Sequence, residues 1–305
     1  MQTVGELLKK INIAGPLLFD EPMCRHTSFQ IGGPADAYLR VRDEEELERV
    51  FAFVLEEGLP YFVLGEGANI LVADRGIRGL VLDLAGLNNC RLEPEGPLLI
   101  AGAGVDMSRA CEQARDNGLA GLEFAYCMPG SVGGSIYMNA RCYGSSVSDR
   151  LAYVDFLDEK AVRRRFLVNG EDFGYKRSPF QKRTSVILAG AFRLAEGERG
   201  RIDAQMQSYK TDREQKGHFR FPCAGSVFKN NRDFGQPTGS IIDSLGMKGT
   251  RIGDAEISEF HANMIINRGK ARAGEVLELI TIIEERVEQA FGFSLEREIL
   301  LVGEW

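Results

Sequence analysis

Histidine is scarce in this chain. Only three occur in 305 residues, His26, His218 and His261, and none has a second ligand at the short spacing that a metal site uses, so no metal centre is expected. The six cysteines, Cys24, Cys90, Cys111, Cys127, Cys142 and Cys223, stand singly. Without paired spacing they argue against zinc, an iron–sulfur cluster or a redox dithiol, and read as reduced thiols. Positive charge is in deficit: 37 Lys and Arg against 44 Asp and Glu leave a formal charge of -7. That works against a nucleic-acid or membrane-surface partner, which needs a basic footprint. Long apolar runs are missing too. The opening "MQTVGELLKKINIAG" interrupts its apolar residues with charges, so neither a signal peptide nor a spanning helix is expected, and the protein is read as cytoplasmic. No G-x-G-x-x-G opens a helix and no G-x-x-x-x-G-K-[ST] occurs, which disfavours an ordinary nicotinamide or nucleoside-triphosphate site.

What is present suits a folded protein of about two domains. Hydrophobic residues make up 44% and charged ones 27%, with no low-complexity tract or internal repeat. "DEEELERVFAFVLEEG" places Leu47, Val50, Phe51, Val54 and Leu55 at helical spacing behind a run of acids and predicts a helix ending near Gly58. "LPYFVLGEGANILV" reads as strand, glycine loop, strand, and "GLVLDL" as a further strand. "LLIAGAGVDMSRACEQARDNGLAGLEF" repeats the order strand, turn, helix. After Arg193 the polar "AEGERGR" marks a boundary near residue 198. Beyond it "AGEVLELITIIEERVEQAFG" predicts a long amphipathic helix stopped by Gly292, followed by the strand-like "ILLVG".

Two loops bear on function. "PGSVGG" (129–134) and "GEGAN" (65–69) lie beside apolar runs. Glycine permits positive φ and removes the Cβ that keeps a ligand off the backbone, so successive N–H groups can converge on an anion. For an isolated "PGSVGG", a tight turn closing one domain is the readier reading; the second loop shifts the balance. Together they suit an extended diphosphate ligand.

From Arg25 onward the chain resembles the UDP-N-acetylenolpyruvoylglucosamine reductases, also called UDP-N-acetylmuramate dehydrogenases. The resemblance rests on motifs in order: "HTSFQIGGPAD" (26–36), "VLGEGANILV" (63–72), "GLEFAYCMPGSVGGSIYMNA" (121–140), "FGYKRSPF" (173–180), "AGSVFKN" (224–230), "KGTRIGDAEISEFHANMIIN" (248–267) and "LEREILLVG" (295–303). It implies an α+β chain: a two-subdomain FAD-binding fold of the vanillyl-alcohol oxidase type, followed by a C-terminal α/β substrate domain. The expected division is an N-terminal helical segment over 1–24, an FAD-binding domain over 25–198 and a substrate domain over 199–305. The short stretch after "FGYKRSPF" matches the family's shorter form, which lacks an insertion carrying a substrate-capping tyrosine. A monomer is expected.

By the same resemblance, FAD is held by Gly65, Glu66, Gly67, Ala68, Asn69, Pro129, Gly130, Ser131, Gly133, Gly134 and Asn139. NADPH reduces the flavin, whose N5 passes hydride to the enolpyruvyl double bond of UDP-N-acetylglucosamine enolpyruvate. The charge that builds on the substrate needs electrostatic stabilisation, and the neighbouring carbon needs a proton. Ser226 matches the family's proton donor and Glu298 its stabilising carboxyl group, protonated or hydrogen-bonded so as not to repel that charge. Glu296 is read as a solvated neighbour on the opposite strand face. Lys176 stands where the family has arginine, offering a point charge in place of a two-pronged donor; Arg177, on a strand, would point to the other face. Tyr175, Arg213, Lys216, Lys229, Asn230 and Arg251 are the expected substrate residues, with a solvated helix face the alternative for Arg213 and Lys216. His261 reads as a structural turn residue. Ala68 for serine, Gln30 for arginine and Arg141-Cys142 for Gly-Ala are further departures. They leave open a non-catalytic UDP-sugar-binding paralogue, and the fold itself leaves open a flavin oxidase.

Overall fold

A computed structural model describes residues 4–93 and 96–305. The chain separates into two compact units that do not follow the linear order. One contains the chain up to Phe19, Ala37–Glu66 and Gly79–Thr211; the other contains Asp20–Asp36, Gly67–Arg78 and Asp212–Trp305.

Among the described residues of the N-terminal segment, α1 (Val4–Leu8) and a single 3-10 turn, Met23–Arg25, are helical, and a strand, Leu17–Pro22, lies between them. The helical expectation for residues 1–24 is corrected accordingly. The strand runs beside Pro34–Arg40 at the edge of a sheet ordered Leu17–Pro22, Pro34–Arg40, Ile77–Asp83, Tyr61–Leu64. Helix α2 (Glu44–Glu56) starts where the Asp43 carboxylate accepts the Glu46 N–H and ends before Gly58 at φ +60. Leu47, Val50, Phe51 and Val54 form its buried stripe. Glu46, in its first turn, is not exposed at all. Its carboxylate accepts the N–H groups of Ala14 (2.5 Å), Gly15 (2.8 Å) and Arg42 (2.7 Å), tying the N-terminal segment to the helix.

A five-stranded antiparallel sheet completes the first unit, in the order Arg163–Leu167, Leu151–Leu157, Val186–Arg193, Leu98–Gly102, Cys90–Leu92. Val186–Arg193 is buried along all but its last residue. Charge blunts the edge strand against further pairing: Arg163 meets Glu44 (2.7 Å) and Glu48 (2.8 Å), Arg164 meets Asp158 (2.9 Å), and Arg165 binds both oxygens of Asp155. Helix α3 (Met107–Asp116) is capped by Asp106. The shorter helix α4 (Val132–Tyr137), capped by Ser131, packs on Val186–Arg193. Close approach is possible because a Cβ on Gly133 would lie 2.8 Å from that of Ala103, and one on Gly190 2.5 Å from Ile136 Cδ1. Helix α5 (Arg199–Gln215) follows, and its Tyr209 ring stacks on Tyr143 at 3.9 Å.

The second unit is built on a sheet ordered Cys223–Ser226, Met264–Asn267, Ala255–Ile257, Arg251–Ile252. Between its first two strands in sequence lies helix α6 (Thr238–Ser244). Helix α7 (Ala273–Phe291) covers the core with Val276, Leu279, Ile280, Ile283 and Val287, and ends at Gly292, φ +75. Phe29, Ile31 and Leu71 belong to this same core. The strand Ile70–Val72 pairs in parallel with Leu300–Val302, and Asp74 accepts the first N–H groups of α7, Ala273 (2.9 Å) and Gly274 (3.0 Å). Shared apolar burial and these long-range bonds explain why 20–36 and 67–78 pack with the C-terminal third. Among the described residues no helix is long and apolar enough to cross a membrane.

Candidate active site

The two glycine-rich loops meet in the first unit at Ser131. A Cβ on Gly65 would lie 2.5 Å from Ser131 Oγ, while Gly134 is exposed and has only that oxygen, at 3.5 Å, near its own Cβ position. Ser131, 1% exposed, accepts the Gly134 N–H at 3.3 Å and so caps α4. Gly133 is committed to packing, its N–H donating to Ala103 O at 2.9 Å. Pro129 is exposed, and Gly130 sits at φ +132, a conformation open to glycine alone. "PGSVGG" is therefore the capped entry to a helix, with Gly134 its bare backbone position.

Gly130 donates its N–H to Glu66 Oε2 at 3.0 Å. Glu66 is an exposed residue overall, but its carboxyl group lies against Gly130 and Asp106. Loss of water raises its pKa first, the Asp106 charge and hydrogen bond add to this, and together they push it up to about 7 against the pull of the Gly130 N–H. A carboxyl that takes a proton near neutrality can share a loop with a dianion.

Asn139, at φ +43 and 3% exposed, donates from Nδ2 to Gly174 O at 2.8 Å and accepts the Ser148 N–H at 3.1 Å. It thereby anchors the segment containing Lys176. That segment is not a strand. Gly174 and Arg177 exchange both backbone bonds at 3.1 Å, leaving Tyr175 and Lys176 as a two-residue turn with Lys176 at φ +54. The expectation for Arg177 is corrected: its guanidinium folds back over Gly174, with Nε 3.2 Å from where a Cβ would stand. Gln181 holds the Lys176 carbonyl at 3.2 Å, and Gln181 and Ser178 both bind Tyr137 O at the end of α4. Arg141 lies in a short hairpin, its Nη1 donating to Ser146 Oγ at 3.2 Å.

In the second unit Ser226 and Glu298 come together through their backbones. Ser226 ends the strand Cys223–Ser226, and the next residue, Val227, accepts the Glu298 N–H at 2.7 Å. Glu298 is 9% exposed. Its carbonyl accepts Asn69 Nδ2 at 3.1 Å, and Leu300 donates to Asn69 O at 3.0 Å, so an expected cofactor residue and an expected catalytic one share a framework. Gly67, at φ +63, stands where a Cβ would be 2.3 Å from His26 O; Ala68 follows it, half-buried. Glu296 is exposed but lies, like Glu298, ahead of the strand Leu300–Val302 and not within one, and it pairs with Lys229 at 2.5 Å.

The expected substrate residues are dispersed. Lys216 pairs with Asp212 at 2.7 Å and Arg213 lies 5.5 Å from the Phe219 ring. Asn230 accepts the Thr238 N–H at the start of α6. Arg251 is bound to Asp254 and Gly253 O within its own hairpin. His261 accepts the Asn263 N–H at 3.3 Å, in keeping with a turn residue. Its ring is 5.7 Å from that of His218, whose pKa is lowered to about 4 by burial first and then by Arg213, His261 and Lys216. Asn263 escapes sequence reading; a polar residue inside the apolar run "HANMIIN" is the one available signal, since a buried amide must find partners. Among the described residues no group of three His, Cys, Asp or Glu could hold a metal ion.

Comparison with known proteins decides what this arrangement belongs to. A family model described as the UDP-N-acetylenolpyruvoylglucosamine reductase C-terminal domain matches residues 216–302, and one described as an FAD binding domain matches 35–165. The UDP-N-acetylenolpyruvoylglucosamine reductase of Syntrophus aciditrophicus is 40% identical, covering 99% of this chain and 96% of that protein. That of Treponema denticola is 38% identical over 95% of each chain. The chain belongs to the UDP-N-acetylenolpyruvoylglucosamine reductase family. The crystal structure of such a reductase from Thermus caldophilus matches at 30% identity with a TM-score of 0.79, covering 95% of this chain and 100% of that one. A xylooligosaccharide oxidase from Myceliophthora thermophila C1, at 14% identity and a TM-score of 0.51 over 64% of this chain and 43% of its own, shares the fold alone. The reductase family is one of FAD-dependent oxidoreductases, and the chain has its α+β fold, an FAD-binding region followed by the reductase C-terminal domain. The loop chemistry fits that cofactor: exposed Gly134 leaves the space at its Cβ position open to a ligand, and the carboxyl group on the Gly130 N–H is that of Glu66, its pKa raised to about 7.

Proposed function

We propose that this chain reduces UDP-N-acetylglucosamine enolpyruvate to UDP-N-acetylmuramate with NADPH, in peptidoglycan precursor synthesis, as a cytoplasmic monomer. Most of residues 25–198 serve the cofactor, with Tyr175 and Lys176 turned to the substrate, and 199–305 serve the sugar nucleotide. The observation that carries the reading is the backbone bond from Glu298 to the residue after Ser226, 2.7 Å long, in a chain of this family.

Bound FAD supplies a carrier for hydride, held by Gly65, Glu66, Gly67, Ala68, Asn69, Pro129, Gly130, Ser131, Gly134 and Asn139. Gly133 acts indirectly, by seating α4 on the sheet. Adding hydride to one carbon of a double bond conjugated to a carboxylate would leave negative charge shared between the neighbouring carbon and that carboxylate, and a proton at that carbon completes the reduction. Ser226 gives its hydroxyl proton to that carbon, a task a weak acid performs only against a strong base. Glu298 steadies the charge on the carboxylate side. Lys176 attracts the same carboxylate as a point charge, aimed by a turn whose carbonyl Gln181 holds. Tyr175, Arg213, Lys216, Lys229 and Asn230 bind the nucleotide sugar; Lys229 exchanges Glu296 for phosphate. Arg251, tied to Asp254, contributes least.

An anaerobic absorbance titration tests the reading. Flavin bands should bleach with NADPH and return on addition of UDP-N-acetylglucosamine enolpyruvate. A flavoprotein that stays bleached in the presence of the sugar would sink it in favour of a binding paralogue. Lys176→Arg should restore a forked donor and speed reoxidation; a slower variant would show that the turn is built for lysine.

A further inference from the structure

The backbone after Ser226 is fully hydrogen-bonded, and one residue does most of the holding. Asn263 is 2% exposed. Its Oδ1 accepts the Phe228 N–H at 2.9 Å and its Nδ2 donates to Phe228 O at 2.7 Å. Its main-chain carbonyl accepts the Val227 N–H at 2.9 Å. The remaining polar group of the pair, Val227 O, accepts from Glu298 N–H at 2.7 Å and from Ile299 N–H at 3.3 Å. Every backbone donor and acceptor of Val227 and Phe228 is thus bonded, three of the four by Asn263. Phe228 itself is fully buried.

The strand cannot supply this order by pairing alone. Register shifts between Cys223 and Ser226, where Gly225 turns to φ +73, so regular pairing with Met264–Asn267 is broken just before the serine. Asn263 replaces the missing ladder with a side-chain amide that presents a donor and an acceptor in one plane. It is oriented in turn by its own N–H, which His261 Nδ1 accepts at 3.3 Å. Ser226 and Glu298 therefore take their relative placement from one short peptide, which Asn263 clamps on the side opposite Glu298.

We propose that Asn263 is a positioning residue for the reduction step, setting the Ser226 hydroxyl against Glu298 without touching substrate or cofactor. The inference rests on the roles given to Ser226 and Glu298 above. A proton donor misplaced by about 1 Å loses on the order of 100-fold in rate.

The test is single-turnover kinetics of FAD-loaded Asn263→Ala. Flavin reduction by NADPH and the visible flavin spectrum should be unchanged, while reoxidation by UDP-N-acetylglucosamine enolpyruvate should slow by about 100-fold at saturating sugar. In a Ser226→Ala background the same substitution should add almost nothing, because the two act as one unit. Asn263→Asp, which keeps the acceptor for Phe228 N–H and loses the donor to Phe228 O, gives the same readout should the alanine variant fail to fold. Equal slowing of both half-reactions, or losses that simply multiply with those of Ser226→Ala, would overturn the positioning role. A wild-type protein that is not reoxidised by the sugar would instead overturn the reading of the site, a distinguishable outcome.

Discussion

Glu66 shows how one residue in a glycine loop changes the pH behaviour of a protein. Its carboxyl group, raised from 4.5 to about 7, binds a proton more tightly folded than unfolded. The stability this lends is complete below pH 4.5 and is lost as pH rises to about 7. Glu66→Gln mimics the protonated form, so the variant's melting temperature relative to the wild type's should climb between pH 4.5 and about 7; a constant difference between the two would rule the assignment out. His218 acts in the opposite sense. Its pKa, lowered from 6.5 to about 4, gives stability present above 6.5 and lost as pH falls to about 4. His218→Asn should therefore resist acid better than the wild type over that range, as thermal melts at stepped pH will show. Neither shift was legible in the sequence, since both depend first on burial, which folding creates, and then on charges such as Asp106 for Glu66, distant along the chain, and Arg213 for His218. Ser226 and Glu298 could be singled out as candidates because they sit in recognisable motifs; Asn263 could not, because its partner Phe228 is 35 residues away.

Among the elements, α2 and α7 follow from periodicity and end signals: an apolar stripe, an aspartate or acids at the start, a glycine in left-handed conformation at the stop. Helix α4 is different. Its glycines read as a loosened loop, yet Gly133 and Gly134 lie inside a capped helix for unlike reasons. A methyl group on Gly133 meets Ala103 Cβ at 2.8 Å and Ala103 O at 3.0 Å, atoms that cannot swing aside. Gly133→Ala should cost about 1–3 kcal/mol by overpacking, measured by denaturant melts. Gly134→Ala meets only Ser131 Oγ at 3.5 Å. It should leave the apoprotein as stable or about 1 kcal/mol more so through helix propensity, while weakening FAD binding in a fluorescence titration. If both variants lost stability equally, the division of labour between the two glycines would be wrong. Glu46 makes the same point for α2: its place in the first turn suggested a dipole contact, whereas folding made it the acceptor of three backbone N–H groups.

At the scale of the molecule, linear reading fails most clearly at the boundaries. The C-terminal core contains Phe29, Ile31 and Leu71, its strand Leu300–Val302 pairs with Ile70–Val72, and α7 is capped by Asp74. A fragment of residues 199–305 lacks all of these. It should show no cooperative unfolding transition and a weak near-ultraviolet circular dichroism signal, whereas the whole chain should melt cooperatively and give a strong one; a fragment that melts cooperatively would refute the interleaved core.

The sequence by itself determined the composition class, the long helices, the strands that flank the glycine loops and, through ordered motifs, the family. Those are carried by neighbours within a few residues or by patterns of residue type, which the chain states directly. Only the tertiary structure decided which residues share a core, which glycines face open space and which pack, and how the peptide after Ser226 is held. Each of these depends on atoms that folding brings together from positions far apart in the chain, and local preference contains no record of them.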